Sequence, residues 1–189
     1  MMYDTNLDKN EANYTPLSPL SFLQRTAEVY PNHKSIIHGH RTYTWSETYK
    51  RSCQLASALS SSGIGEKDTV SVLAFNTPEI YEAHFAIPML GAVINTINIR
   101  LDIETISYIL DHAETKALIT DTELSPTMKE VIKKINKEIL IINICDDQAL
   151  QPDGAGEMIG EIEYEKFLHS GNENFEWSLP KDEWESIAL

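Results

Sequence analysis

The sequence has few cysteines, few basic residues and no long apolar run, and each shortage excludes a class of protein. Cys53 and Cys145 lie 92 positions apart without a Cys-x-x-Cys spacing, which predicts two buried, reduced thiols rather than a disulfide framework or a zinc cluster. The 29 acidic residues outnumber the 15 basic ones, and the net charge of −14 disfavours nucleic acid and anionic membranes as partners. The apolar-rich residues 83–97 are interrupted by polar residues and too few for a membrane helix, so we expect them in the core.

Charge and targeting signals suggest how the chain is organised. The first fifteen residues lack the apolar core of a signal peptide, so we expect a cytoplasmic protein. Residues 1–145 carry a net charge of −4 and residues 146–189 a net charge of −10. We therefore predict an amino-terminal extension (1–14), an α/β subdomain (15–145) and an acidic segment (146–189). Residues 187–189 are expected to begin a further strand, which suggests a truncated chain.

Apolar spacing and capping residues predict an amino-terminal helix, a hairpin and a second helix. Ser18 caps a helix over residues 19–30, with Tyr30 on its apolar face. Residues 34–44 predict a β-hairpin turning at Gly39, and Thr44 and Glu47 form a capping box that opens a helix ending at Gly63.

Residues 69–144 alternate between strand and helix patterns. Strands are predicted at 69–75, 92–97, 116–120 and 139–144, with helices between them and a short helix at 164–169. This alternation predicts an α/β fold, a parallel sheet flanked by helices, in which ligands bind beyond the carboxyl ends of the strands.

Two glycine pairs are the only candidates for a phosphate loop, and neither has the required spacing. Gly63 and Gly65 precede a strand, with Asp68 where a third glycine would fall, so we expect a helix cap and a turn. Gly154 and Gly156 have no strand before them, and Gly160 comes one place too late.

Three other residue groups have both a chemical and a structural interpretation. His38 and His40 are spaced as a metal pair would be, although a hairpin turn explains Gly39 between them. His84 is either a general base or, as we favour, a core histidine. Arg100 follows a strand and either binds an anion or, as we favour, forms a structural salt bridge.

Longer segments resemble a known enzyme family. The stretch NTPEIYEAHFAIPMLGAVINTINIRLDIETISYIL (76–110), followed by KALITD (116–121), resembles the acyl-CoA synthetases of the AMP-forming adenylating superfamily. The segments ANYTPLSPLSFLQRTAEVYP, HGHRTYTWSETYKR and DEWESIAL resemble the amino-terminal part of bacterial medium-chain and related acyl-CoA ligases. The fold that this resemblance implies is the incomplete, Rossmann-like amino-terminal subdomain of the adenylating enzymes.

The resemblance implies a function for a longer protein. Family members use ATP and magnesium to convert a carboxylic acid, here a fatty or related acid, to an acyl-adenylate, and then transfer the acyl group to coenzyme A. The Thr/Ser/Gly-rich loop, the adenine- and ribose-binding segments and the lid lysine of that family are not in this sequence. We therefore carry over no catalytic, cofactor-binding or metal-binding residue, and we expect an inactive fragment whose partner is the remainder of the ligase. A homo-oligomer, and a free-standing α/β binding module without catalysis, stay open as alternatives.

Overall fold

A computed structural model describes residues 8–135, 137–148 and 156–180 of the chain, and within them it forms an α/β domain. The helices are α1 Pro19–Val29, α2 Trp45–Ser61, α3 Pro78–Met89, α4 Ile103–His112, α5 Ser125–Lys134 and α6 Tyr164–His169, with a 3₁₀ turn at Thr122–Leu124. The strands are β1 Lys34–His38, β2 Arg41–Thr44, β3 Thr69–Leu73, β4 Val93–Thr96, β5 Ala117–Asp121, β6 Leu140–Ile144 and β7 Ile162–Glu163. The predicted α/β fold with a parallel sheet and a separate hairpin is confirmed.

Local sequence signals explain where the helices begin. The Ser18 hydroxyl accepts a hydrogen bond from the Leu20 N–H at the start of α1, and the predicted capping box of Thr44 and Glu47 is present at α2. Asp102 caps α4 in the same way through the Thr105 N–H. These side chains satisfy N–H groups that a helix leaves without an internal partner.

The main sheet has five parallel strands in the order β4-β3-β5-β6-β7. From β3 the chain moves outward to the edge strand β4, and it then crosses back to place β5 on the other side of β3. The strand order therefore reverses between β3 and β5, and a crevice opens at such a point beyond the carboxyl ends of the strands.

Two apolar cores cover the two faces of the sheet. On one face, α1, α2, α3 and α6 pack against β3–β6, and on the other face α4 and α5 do so. Ala83, Ala86 and Ile87 of α3 are fully buried, as predicted for the apolar stretch that contains them. Tyr30 is half exposed and lies beyond the last residue of α1, so its predicted place on the apolar face is wrong.

The sheet continues beyond Cys145. The strand β7 pairs with β6 through Ile142 and Ile162, and the predicted helix at residues 164–169 packs against α2 and β6. The sequence pattern missed β7 because two residues give no periodic signal. The division of the chain at residue 145 stays a prediction, and the strand expected at residues 187–189 lies outside the described residues.

Candidate functional site

The crevice between β3 and β5 is lined by polar residues that directly follow the strands. Thr77 and Glu79 begin α3 after β3, Asp121 ends β5, and Asp146 lies two residues beyond β6. Because β3, β5 and β6 are parallel, their carboxyl ends meet at one edge of the sheet. The structure thus gathers at this edge four polar residues that are far apart in the sequence.

The hairpin β1–β2 is tied to this edge by Arg41. The guanidinium donates from Nη1 to Glu79 Oε1 at 2.6 Å and from Nη2 to Asp146 Oδ1 at 2.9 Å. His38 Nε2 lies 2.8 Å from the other carboxylate oxygen of Asp146. Glu79 and Asp146 are both buried, so Arg41 supplies the charge that allows two carboxylates to leave water.

Several buried polar atoms at this edge have no hydrogen-bond partner among the described residues. They are Arg41 Nε, Thr77 Oγ1, Glu79 Oε2, Thr120 Oγ1, Asp121 Oδ2 and Thr122 Oγ1. Folded proteins pair nearly all of their buried polar atoms, so the concentration of these six at one edge makes it the candidate functional site.

Asp121 is the most perturbed carboxyl group at this edge. Its side chain is 1% exposed, and burial together with the negative charges of Glu123, Asp146 and Glu79 raises its pKa from 3.8 to about 6. A hydrogen bond from the Glu123 N–H to Asp121 Oδ1 opposes this change but does not cancel it. Asp121 therefore gains or loses a proton near neutral pH, as candidate functional carboxyl groups do.

A second buried charge cluster joins α2, α3 and α6. Arg51 donates to both oxygens of Glu82 and to both oxygens of Glu165, and its guanidinium lies over the ring of Tyr43. The Tyr164 hydroxyl donates to Glu82 at 2.8 Å. Burial raises the pKa of Glu82 to about 7, although Arg51 and Tyr164 both favour its ionised form. Because these groups satisfy one another, the cluster holds helices together and leaves no open position for a ligand.

The two hairpin histidines bind separate carboxylates. His38 pairs with Asp146, and His40 Nε2 lies 3.2 Å from Asp147 on the exposed surface. Across the described part of the chain, no three His, Cys, Asp or Glu side chains are grouped as a metal site requires. Gly39 has a φ of +57°, so the hairpin-turn interpretation is confirmed.

His84 and Arg100 both differ from the favoured interpretation. His84 is exposed on α3, with Nδ1 2.7 Å from the carbonyl oxygen of Ile80, so it is not a core histidine. Arg100 is exposed in the loop after β4, and its guanidinium forms no ion pair with a described residue. Both predictions assumed neighbours that the surface position of these residues does not provide.

The glycine pairs have structural roles where they are described. Gly63, with a φ of +85°, ends α2, and the N–H of Ile64 donates to the carbonyl of Leu59, which confirms the predicted helix cap. Gly154 lies outside the described residues. A Cβ on Gly156 would come 2.0 Å from the carbonyl oxygen of Thr122, so close packing explains this glycine.

The cysteines are both free thiols, but only one of them is buried. Cys53 lies in the core, where burial raises the pKa of its thiol. Cys145 is exposed because it is the first residue beyond the last buried position of β6, so its predicted burial is wrong.

In the described residues, no helix is both long and apolar enough to cross a membrane.

The sequence patterns did not single out the charged residues that meet at the sheet edge, which are Arg41, Glu79, Asp121 and Asp146. A usable signal was present in the strand predictions, because an acidic residue stands at or just after the end of two successive strands, at KALITD and at NICD. Arg41 carried no such signal, since it is 105 positions from Asp146.

Comparisons with known proteins show the family of the chain. Residues 23–174 match the model of the AMP-binding enzyme family. An acetate–CoA ligase of Humulus lupulus is 45% identical over 195 residues, covering 97% of this chain and 34% of the relative. A peroxisomal trans-cinnamate:CoA ligase of Petunia hybrida is 41% identical over 200 residues, with the same coverage. The chain thus spans about a third of the length of the curated relatives it matches.

Solved structures support the fold independently of sequence. An anthranilate CoA ligase in complex with anthranoyl-AMP superposes with a TM-score of 0.75 at 20% identity, over 90% of this chain and 31% of that one. A benzoate CoA ligase from Burkholderia xenovorans gives a TM-score of 0.67 at 18% identity, over 81% and 28% of the two chains. The residues matched by the family model, 23–174, include Arg41, Glu79, Asp121 and Asp146 of the polar crevice, and this chain belongs to the AMP-binding enzyme family.

Proposed function

We propose that this chain is the amino-terminal part of an AMP-forming ligase that joins a carboxylic acid to coenzyme A. The observation that supports the proposal most strongly is the family match over residues 23–174, because the relatives named with it are CoA ligases and acyl-activating enzymes. Such an enzyme consumes ATP, forms an acyl-adenylate with release of pyrophosphate, and transfers the acyl group to the thiol of coenzyme A.

In this proposal the chain supplies a scaffold, and other parts of the ligase supply the chemistry. Stabilising the charge that develops in adenylate formation requires a phosphate-binding loop, magnesium and a mobile lysine. We assign none of these to the described residues, and we propose no catalytic, cofactor-binding or metal-binding residue here. Residues 15–145 would form the scaffold, and residues 146–189 would lead towards the nucleotide-binding loop.

The acid is proposed only as a class. The relatives are named for acetate, butyrate and trans-cinnamate, which share a carboxylate but differ in the size and shape of the group that carries it. We propose a fatty or related acid and take these three as the first panel. The remainder of the ligase is the proposed partner. We propose the cytoplasm as the compartment, although some relatives are named as peroxisomal.

A chimera tests the proposal. This chain replaces the corresponding third of the acetate–CoA ligase of Humulus lupulus, and pyrophosphate release is measured with ATP, magnesium, coenzyme A and each of the three acids. We expect the chimera to release pyrophosphate in an acid-dependent manner, and the isolated chain to release none above a blank without protein.

The parent ligase is the positive control, and cooperative thermal unfolding shows whether the chimera is folded. A folded chimera that is inactive with every acid, beside an active parent, would refute the proposal and favour a free-standing binding module. Pyrophosphate release by the isolated chain would refute the proposal that this chain is a scaffold and that other parts of the ligase carry out catalysis.

A further inference from the structure

A second concave site is lined by residues of α1, α2 and the segment that follows α6. Residues 171–180, here called the strap, turn at residues 173–174 and continue without regular secondary structure past α1 and α2. Phe175, Trp177 and Leu179 are partly buried, whereas Asn174, Glu176 and Ser178 are exposed. Between the strap and the helices is a cavity of about 590 Å³, which is within the size range of small-molecule sites.

Specific contacts hold the strap at both ends of this cavity. A Cβ on Gly171 would lie 2.0 Å from the carbonyl oxygen of Gln54, so only glycine allows the strap to cross α2 this closely. At the other end, Trp177 Nε1 donates to the hydroxyl of Tyr49 at 3.2 Å. Phe175 and Trp177 also pack against the core beneath them. The cavity walls are therefore fixed by tertiary contacts.

The lining of the cavity combines aromatic rings with negative charge. Tyr49, Phe175 and Trp177 contribute the rings, and the side chains of Glu173 and Glu176 stand at the rim. Lys50 partly neutralises Glu173 at 3.4 Å, whereas Glu176 forms no ion pair with a described residue. The described lining contains no Lys, Arg or His.

This composition favours a positively charged aromatic ligand over an anionic one. Aromatic faces attract cations, and the rim carboxylate of Glu176, which forms no ion pair with a described residue, adds to that attraction. The same carboxylate repels the carboxylic acids and nucleotides of the proposed ligase reaction. We propose that the cavity beneath the strap binds a small arylalkylammonium ion, separately from the ligase substrates.

Calorimetric titration of the chain with three probes of one shape tests this proposal. The probes are phenethylammonium, neutral 2-phenylethanol and anionic phenylacetate, without ATP or coenzyme A, so the result does not depend on the proposed ligase function. We expect phenethylammonium to bind about tenfold more tightly than phenylacetate. One contact of the ammonium group with an aromatic ring, together with its attraction to the rim carboxylate, provides a difference of that size. Equal binding of the three probes, or no binding at all, would overturn the proposal.

Three variants locate the binding. Glu176→Gln should weaken binding of phenethylammonium without changing binding of 2-phenylethanol, and the exposed Glu161→Gln, outside the cavity, should change neither. Gln24→Phe places a ring in the cavity from α1 and should abolish binding of both probes. Binding that survives Gln24→Phe, or that Glu161→Gln weakens as much as Glu176→Gln does, would place the ligand elsewhere.

Discussion

The Asp121→Asn variant should become more stable relative to the wild type as the pH rises from 4 to 7.5. Burial and neighbouring carboxylates raise the pKa of Asp121 from 3.8 to about 6 in the folded chain. The folded state therefore holds this proton more tightly than the unfolded state does, and its contribution to stability is fully present below pH 3.8 and is lost as the pH rises through 6. One pKa unit corresponds to about 1.4 kcal/mol, so ionisation of Asp121 costs the folded state about 3 kcal/mol at pH 7.5.

The substitution isolates this charge. Asparagine keeps the Oδ1 acceptor for the Glu123 N–H and does not titrate, while Oδ2 has no partner among the described residues that the exchange would remove. Any cost of introducing an amide group is the same at every pH. The quantity of interest is therefore the free-energy difference between variant and wild type, compared between pH 4 and pH 7.5.

Urea unfolding of both proteins at the two pH values measures that quantity. We expect the difference to move in favour of the variant by about 2.4 kcal/mol between pH 4 and pH 7.5, because at pH 4 the unfolded-state carboxyl is already partly ionised. The control is Glu161→Gln, which removes an exposed carboxylate that forms no ion pair with a described residue, and for which the same comparison should show little change. If the difference in the free energy of unfolding between Asp121→Asn and the wild type does not depend on pH, or changes in favour of the wild type, then ionised Asp121 does not destabilise the folded protein and the reasoning is refuted.

Three further predictions concern the frame around the site. Arg41→Met should lower the free energy of unfolding by about 3–5 kcal/mol, measured by thermal or urea unfolding, because it leaves the buried carboxylate of Glu79 without a counter-ion and that of Asp146 with only His38 beside it. A loss below about 1 kcal/mol would contradict this. Gly171→Ala should lower the melting temperature, because its Cβ would lie 2.0 Å from the carbonyl oxygen of Gln54, whereas Gly65→Ala should not, because the structure leaves open space there for a methyl group. Equal effects of the two substitutions would contradict the close approach of Gly171 to α2. Limited proteolysis should cut first between Asp146 and Gly160, and earlier cuts within residues 69–90 would count against the domain division at residue 145.

The fold was largely predictable from the sequence because its signals are local. The caps at Ser18, Thr44 and Asp102 each involve residues two or three positions apart, and periodicity distinguishes helices from strands within a dozen residues. The strand β7 was missed because it depends on a distant partner. It pairs with the edge of β6 through Ile142 and Ile162, which are 20 positions apart, and a strand of two residues is too short to show an alternating pattern in the sequence.

The polar edge of the sheet was not predictable in the same way. Arg41 meets Glu79 and Asp146 across 38 and 105 positions, and only the strand order determines that these residues share one end of the sheet. Their side chains, taken singly, are typical of exposed loops. The spacing of residue types therefore predicts where such a site lies in an α/β fold, but not which distant side chains complete it.

The acidic carboxyl-terminal segment shows why a count of formal charge is a poor guide to how a segment behaves. Glu163 accepts hydrogen bonds from the first N–H groups of α6, and Glu165 on the same helix pairs with Arg51 of α2. Asp146 is buried against Arg41. A carboxylate that caps a helix or pairs with a buried guanidinium stabilises the fold, although it contributes the same −1 to the net charge as a solvated one. Asp146 and Glu165 therefore help to attach the residues that follow Cys145 to the rest of the chain, and Glu163 stabilises α6, so part of the formal negative charge of this segment contributes to the fold.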